Sequence, residues 1–389
     1  MQTNDMEIEV LSKEEKRENR RQRRIRNQRI AFISLILSVV VLIAAIVGGI
    51  IVIKNQIDQK KQQQLEEQIA KEEAENFTEE NMVDVSGEIA EGDSSEELSQ
   101  NEYNGEVVLD EVVESVISEM TLEEKVAGLF VVTPESITGV SQAVMAGDGT
   151  RTALEKYPVG GLIYSKKNIQ SEEQVKKMVE NSMSYSKYPL FIAADESLAE
   201  SAALASYGIN LNMVSMANFA QGNGATVCIK GFPYGSTNSV QKQNGLAVID
   251  KSLEELKQAE MAPYLEAIAS GAEMIMVGHM ALPQVVGDNT SVTMSKEVIT
   301  DLLRAELGFN GVVITEAMNI GVITEYYGAD EAAIRAFKAG ADMVLMPESF
   351  ETAYKGVIAA VQDGTISEER INDSLKRVFR IKYADRMVE

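Results

Sequence analysis

Cysteine and histidine are scarce in this chain of 389 residues, which contains only Cys228 and His279. A single cysteine excludes an intrachain disulfide. A single histidine excludes a multi-histidine metal site or a relay between two histidines. We expect no bound metal, and nothing in the sequence indicates a cofactor. Positive charge is also in deficit, because the formal net charge is −24. Such an acidic chain is repelled by phosphate backbones, which argues against nucleic acid as a partner.

One long hydrophobic run stands out near the start. Residues 31–53 (AFISLILSVVVLIAAIVGGIIVI) carry no charge, and as a helix they are long enough to cross a bilayer about 30 Å thick. The core of a signal peptide is shorter, and a buried core helix is rarely so uniform. Residues 1–30 are rich in Lys and Arg, which predicts a cytoplasmic tail. We therefore predict a single-pass anchor in the cell membrane, with the bulk of the protein extracytoplasmic.

The segment after this run, residues 54–106, has two parts. Residues 54–76 are strong helix formers that could extend the membrane helix or drive self-association through a short coiled coil. Residues 77–106 are acidic and rich in Ser, Gly, Asn and Glu, which predicts a flexible stalk. The globular domain is then predicted to occupy residues 107–389.

Within this domain, short apolar runs alternate with helical patterns. Most of the runs are continuously apolar, as expected of strands covered on both faces. The eight strand candidates are Leu129–Thr133, Gly160–Ser165, Leu190–Asp195, Ile209–Met213, Thr226–Lys230, Met274–His279, Val312–Thr315 and Met343–Met346. The clearest helical patterns are Ser171–Ser186, Ser252–Ser270, Ser295–Leu307, Asp330–Ala339 and the terminal stretch Ser367–Tyr383. Eight such units predict an α/β fold of the TIM-type (β/α)8 barrel, with a doubly wound sheet as the alternative.

Polar residues follow many of these strands. In a barrel they would gather at the C-terminal face, where such folds place their active sites. The residues at these ends are Thr133, Ser165, Asp195, Glu196, Asn212, Lys230, His279, Thr315, Glu316, Pro347 and Glu348. Carboxylates, a lysine and an imidazole on one face suit a polyol ligand, and paired carboxylates are the usual machinery of glycoside hydrolysis. The alternative is that these residues only solvate the rim of the barrel.

Several ordered blocks make the chain similar to a known family over residues 118–383. The blocks are MTLEEKVAGLF (Met120–Phe130), YPVGGLIYSKKNI (Tyr157–Ile169), PLFIAADE (Pro189–Glu196), GINLNM (Gly208–Met213), KGFPYGS (Lys230–Ser236), residues Asp250–Pro283, FNGVVITEAMNIG (Phe309–Gly321) and AFKAGADMVLMP (Ala336–Pro347). They resemble glycoside hydrolase family 3, most closely its β-N-acetylhexosaminidase branch, in which the barrel alone can suffice. The resemblance implies a carbohydrate ligand, specifically a β-linked N-acetylglucosamine-type glycan of the cell wall.

The resemblance also assigns expected roles. Glu316 occupies the position of the catalytic nucleophile, which is Asp in the family. Asp195 and Lys230 match residues that hold sugar hydroxyls. His279 matches a histidine at the sixth strand end and is expected among the substrate-binding residues.

The chain departs from the family pattern around these positions. A Gly-Gly-Arg turn is replaced by Ser197–Ala202, and no Arg occurs in Met213–Ala225. Gly231 stands where the family has His, and Ser236–Gly245 has neither the acid nor the His of the family's acid/base pair.

These departures predict weak or absent hydrolysis. Glu in place of Asp adds one methylene, and a misplacement of about 1 Å can cost on the order of 100-fold in rate. Loss of acid/base assistance costs about 100- to 10,000-fold more. Three hypotheses follow. The chain could be a membrane-anchored pseudoenzyme that binds cell-wall glycan or a protein partner without cutting it, or an active retaining β-N-acetylhexosaminidase. It could also be an envelope scaffold protein that self-associates through residues 54–76.

Overall fold

The computed structural model describes residues 94–195, 207–215, 225–235, 240 and 242–384, all within a compact unit that spans Asp93–Glu389. The predicted tail, the predicted membrane span and the predicted self-association segment (residues 1–30, 31–53 and 54–76) lie outside the described residues. Within the described ranges, no helix combines the length and the apolar character that a membrane crossing requires.

Eight parallel strands form a nearly closed barrel. They are β1 (Phe130–Val132), β2 (Gly161–Tyr164), β3 (Phe191–Ala194), β4 (Leu211–Ser215), β5 (Thr226–Phe232), β8 (Met274–Val277), β10 (Val312–Thr315) and β11 (Val344–Leu345). Their order around the barrel is β10-β8-β5-β4-β3-β2-β1-β11. A parallel bridge between Ile314 and Met343 brings the two ends of this sheet together. Each of the eight strand predictions is confirmed, with differences of a few residues at the ends.

The strands are short apolar segments because helices cover their outer faces. The helices are α1 (Ser94–Glu119), α2 (Leu122–Ala127), α3 (Pro134–Thr138), α4 (Asp148–Lys156), α5 (Glu172–Tyr185), α6 (Leu253–Gln258), α7 (Ala262–Ala269), α8 (Pro283–Val286), α9 (Glu297–Glu306, of π type), α10 (Gly321–Thr324), α11 (Ala329–Ala339), α12 (Phe350–Gln362) and α13 (Glu368–Ala384). The hydroxyls of Ser171, Ser252 and Ser349 accept hydrogen bonds from the first turns of α5, α6 and α12. These N-caps satisfy amides that have no partner within the helix.

The sequence predicts one helix over Ser252–Ser270, but the structure divides it into α6 and α7. Pro263 lies at the start of α7, where its missing N–H is tolerated. Inside a continuous helix the same residue would lose a hydrogen bond and clash with the preceding turn.

Helix α1 docks on α13 through its C-terminal part. Val113 and Ile117 are buried in the main core, as is Met120 directly after the helix. The helix begins at Ser94, inside the segment that the composition predicts as a flexible stalk ending at residue 106. A buried apolar stripe near its C-terminal end stabilises a helix whose acidic beginning has little intrinsic preference for order.

A small three-stranded sheet lies beyond the ends of β5 and β8. It pairs β6 (Lys242–Gln243) with β7 (Leu246–Val248), and β7 with β9 (Met280–Ala281). Asn244 and Gly245 connect β6 to β7 with φ angles of 51° and 81°. Both values fit the two-residue turn that Asn-Gly sequences favour. This hairpin was not among the predicted strands.

Candidate active site

Glu316 is fixed at the C-terminal end of β10 by main-chain hydrogen bonds. Its amide donates to the carbonyl of Val277 at 2.9 Å, and the next bond outward runs from the Met318 amide to the carbonyl of Leu345. The buried hydroxyl of Thr315 accepts from the Leu345 amide at 3.2 Å. The carboxylate position is therefore set by the two neighbouring strands, β8 and β11.

The Glu316 side chain is half-buried, and its carboxylate turns toward β8. Its Oε2 accepts a hydrogen bond of 2.8 Å from the backbone amide of His279. A charge-assisted bond to a main-chain donor holds the carboxylate in one orientation.

The imidazole of His279 is enclosed in the wall of the barrel, with 6% of the residue exposed. Its Nε2 lies 3.0 Å from the carbonyl oxygen of Ala317, and its Nδ1 lies 3.0 Å from Oγ1 of Thr293. Because a carbonyl can only accept, Nε2 donates, and the Thr293 hydroxyl donates to Nδ1 of the neutral ring. Thr293 Oγ1 lies 3.0 Å in turn from Oγ of Ser291.

Burial lowers the pKa of His279, and the nearby Glu316 carboxylate opposes that effect. The ring is consequently neutral around pH 7. Both of its nitrogens have partners within the protein. The contact between His279 and Glu316 is made by the main chain of the histidine.

Lys230 shares the inner face of the barrel with Glu316. It lies opposite Met276 of β8, which lies opposite Ile314 of β10, and side chains in register point to the same face. Phe232 points outward instead, since its ring meets a tyrosine of α7 edge-on with centroids 5.3 Å apart. Glu316, two residues after Ile314, projects to the inner face like Lys230.

Asp195 lies at the end of β3, where its amide donates to the carbonyl of Tyr164 at 2.8 Å. Strands β4, β5 and β8 separate β3 from β10 in the barrel order. The structure thus brings Glu316 and His279 into direct contact. It places Asp195 and Lys230 on the same C-terminal face, along other parts of the wall.

The position at which the family has His is a tight turn in this chain. Gly231 has a φ of +90°, and a Cβ there would lie 2.3 Å from the carbonyl oxygen of Gly235. The Gly235 amide closes the turn on the carbonyl of Gly231 at 2.7 Å. This backbone admits glycine and excludes a histidine side chain.

Some residues that shape the site were not predicted. Thr293 and Ser291 partner the imidazole of His279, but the segment TSVTMS has no signal beyond its hydroxyls. Among the described residues, no group of three or more His, Cys, Asp or Glu could hold a metal ion.

Comparison with known proteins gives consistent matches. Residues 196–381 match the glycosyl hydrolase family 3 N terminal domain. Beta-hexosaminidase A of Pseudoalteromonas piscicida is 29% identical over 181 residues, which cover 41% of this chain and 30% of that protein. The structure of a glycoside hydrolase family 3 beta-N-acetylglucosaminidase from Paenibacillus sp. str. FPU-7 superposes with a TM-score of 0.60 and 27% identity. That match covers 69% of this chain and 64% of that one.

The fold alone is shared with beta-N-acetylhexosaminidase from Beutenbergia cavernae DSM 12333. Its TM-score is 0.55 at 20% identity, over 68% of this chain and 99% of that one. The chain spans less than two thirds of the length of the Pseudoalteromonas piscicida protein and of the Paenibacillus protein. A family domain match, two independent relatives and an eight-stranded barrel with a carboxylate at the end of β10 agree. Residues 196–381 of this chain are therefore similar to the glycosyl hydrolase family 3 N terminal domain.

Proposed function

We propose that this protein is a membrane-anchored, extracytoplasmic domain that binds β-linked N-acetylglucosamine-type glycan of the cell wall and hydrolyses it weakly or not at all. The observation that carries this proposal is the Glu316 carboxylate, held on the inner face of the barrel by the amide of His279 at 2.8 Å. The relatives named above, a beta-hexosaminidase and a beta-N-acetylglucosaminidase, support the choice of sugar.

In this proposal Asp195 and Lys230 hold sugar hydroxyls, and Glu316 occupies the nucleophile position. His279 has a different role from the one that the resemblance implies. Its ring nitrogens are engaged by Thr293 and Ala317, so it orients Glu316 through its main chain. The sugar would be bound by the other residues.

Weak hydrolysis follows from geometry and from sequence. Glu316 reaches farther than an aspartate, and its bond to the His279 amide draws the carboxylate toward β8. A retaining mechanism needs the nucleophile in line with the anomeric carbon and a proton donor on the leaving oxygen. The loop Ser236–Gly245, where relatives of this branch carry the donor, contains no acid and no histidine.

The first experiment measures turnover of an aryl N-acetylglucosaminide and binding of N-acetylglucosamine on the same preparation of the full chain. We expect binding that Lys230→Ala weakens, with little turnover. Glu316→Asp should raise turnover, by up to about 100-fold if misplacement of the carboxylate is the limiting defect. Glu351→Gln, at an exposed position on α12, is the matched control.

Two outcomes would overturn this proposal. Efficient turnover that Glu316→Gln abolishes would identify an active retaining hydrolase with a glutamate nucleophile. Absence of both binding and turnover would contradict the proposal that the domain binds this glycan.

The location is tested separately. Residues 31–53 predict the anchor, and the basic residues before them predict a cytoplasmic N-terminus. We expect the full chain in the membrane fraction and its C-terminal domain open to protease added outside intact cells. A variant without residues 31–53 should leave the membrane fraction. Protection of the domain in intact cells would contradict the proposed orientation.

A further inference from the structure

A cavity of about 170 Å³ opens on the same face of the barrel as Glu316. Its walls come from three segments that follow β5, β8 and β10. These are the β6–β7 hairpin, the loop at residues 289–291, and α10 with the residues after it. None of the four residues that match the family's site (Asp195, Lys230, His279 and Glu316) lines this cavity.

The cavity is uncharged although the chain is strongly acidic. Every residue that lines it is neutral, while the chain has a net charge of −24. A phosphate, a carboxylate or a metal ion would find no countercharge among these side chains. The ligand class that fits is neutral.

The lining has two kinds of surface. Gln243, Asn244 and Asn289 supply amide groups at an exposed rim, and Asn289 Nδ2 donates to Gln243 Oε1 at 3.0 Å. Tyr326 also lies at the rim, 53% exposed, and aliphatic side chains of β7 and α10 complete the wall. Amides beside aromatic and aliphatic surface bind a ring that has hydroxyls on its edge and C–H groups on its face.

The cavity also connects to the candidate active site through hydrogen-bonded side chains. Ser291 lines the cavity and is buried, and its Oγ lies 3.0 Å from Oγ1 of Thr293. Thr293 in turn contacts Nδ1 of His279, whose amide holds Glu316. Ser291, Thr293 and His279 therefore link the cavity to Glu316, and the last link is the main-chain amide of His279.

We propose that this cavity is a second carbohydrate subsite, which takes one uncharged pyranose unit between the amide rim and Tyr326. The inference goes beyond the proposed function, because it requires no cleavage and no contact of this sugar with Glu316. A glycan chain could then be held at two places on the C-terminal face.

The test is titration of the full chain with N-acetylglucosamine, followed by NMR of the protein and by calorimetry. We expect Tyr326→Ala and Gln243→Ala each to weaken binding at the cavity, by about tenfold for the tyrosine. Lys230→Ala should weaken only the separate binding at Lys230 and leave the binding at the cavity unchanged, and the NMR signals that shift in each variant distinguish the two places. Tyr185→Ala is the matched control, since this tyrosine lies on α5 beneath Arg151. Charged analogues, glucosamine and glucose 6-phosphate, should bind more weakly than the neutral sugar.

The outcomes separate this inference from the proposed function. Binding that is lost with Lys230→Ala and unchanged by both cavity variants would overturn the second subsite and leave the proposed function standing. Binding that is lost with the cavity variants and unchanged by Lys230→Ala would support the subsite and count against the sugar at Lys230. Equal or tighter binding of the charged analogues would also overturn the inference.

Discussion

His279 orients Glu316 through its main-chain amide, while its buried imidazole makes the stability of the fold depend on pH. Burial lowers the pKa of the folded-state imidazole below the ordinary value of 6.5. Between these two values the unfolded chain binds the proton and the folded chain does not. Since stability rises with pH wherever the unfolded state binds more protons, acidification through this range destabilises the fold.

We therefore predict that the free energy of unfolding falls as pH drops below about 6.5, by at most about 1.4 kcal/mol per pH unit from this group. Urea unfolding at a series of pH values measures the slope. His279→Gln removes the titrating group and should flatten the profile in the same range. Because the chain has one histidine, its imidazole NMR signal is unambiguous. Titration of that signal in the folded protein at the ordinary pKa would contradict the prediction.

Gly231 is the second residue whose identity the local backbone determines. Its positive φ alone would strain a side chain by about 1–2 kcal/mol. In addition, an added Cβ would collide with the carbonyl oxygen of Gly235. We predict that Gly231→Ala lowers the free energy of unfolding by more than about 2 kcal/mol.

The control for Gly231 is Gly364→Ala. Gly364 has a φ of +79° but no atom within 4 Å of an added Cβ, so it isolates the conformational strain. We expect a smaller loss of stability for this variant in the same urea titration. Equal losses for the two variants would mean that the Gly231 turn relaxes without cost.

At the scale of elements, the barrel strands were predictable and the small sheet was not. Each barrel strand is a continuous apolar run because helices and core cover both faces, so composition alone identifies it. Strands β6, β7 and β9 have two or three residues each, too few for an apolar period. The Asn244-Gly245 pair was the available hairpin signal.

The sequence predicts where the candidate site residues lie, but it does not predict which hydrogen bonds they make. Sequence order and strand ends place Asp195, Lys230 and Glu316 on one face of the barrel. They do not reveal that the ring of His279 turns into the wall, because its partners Thr293 and Ala317 come from distant segments. Ring orientation is decided by tertiary hydrogen bonds.

Helix α1 gives a prediction at the same scale. Its Ile117 is buried against the core, while Asp110 pairs with Arg380 at the exposed surface of α13. Apolar burial should therefore dominate its docking. We predict that Ile117→Ala lowers the free energy of unfolding by about 2–5 kcal/mol. Asp110→Asn should change the free energy of unfolding only slightly. Urea titration of both variants measures the two effects. A larger loss for Asp110→Asn would mean that ion pairing holds the helix.

The barrel as a whole is closed at its N-terminal end by one buried carboxylate. Asp342 is fully buried, and its Oδ2 accepts from the Val313 amide at 2.9 Å and pairs with Arg304. Its Oδ1 accepts from Ser374 at 2.7 Å and lies 3.3 Å from Nη1 of Arg377. This one side chain joins β10, α9 and α13 beside β11, where the sheet closes.

Arginines around Asp342 make its charge indispensable. Burial lowers the pKa of Arg304 and of Arg370, and Asp342 opposes that effect in both. The guanidinium groups stay protonated, so a neutral residue at position 342 would leave partly buried positive charges without the carboxylate that they pair with. We predict that Asp342→Asn lowers the free energy of unfolding by about 3–5 kcal/mol, measured by urea titration.

The matched control is Glu331→Gln, which breaks an exposed pair with Arg335 within α11. It should leave the melting temperature nearly unchanged, while Asp342→Asn lowers it clearly. Equal melting temperatures for the two variants would show that the arginines find other partners or water when an amide replaces the Asp342 carboxylate. If the prediction holds, closure of the barrel depends on an ion network at the end opposite Glu316. The C-terminal face would then be free to change without loss of the fold.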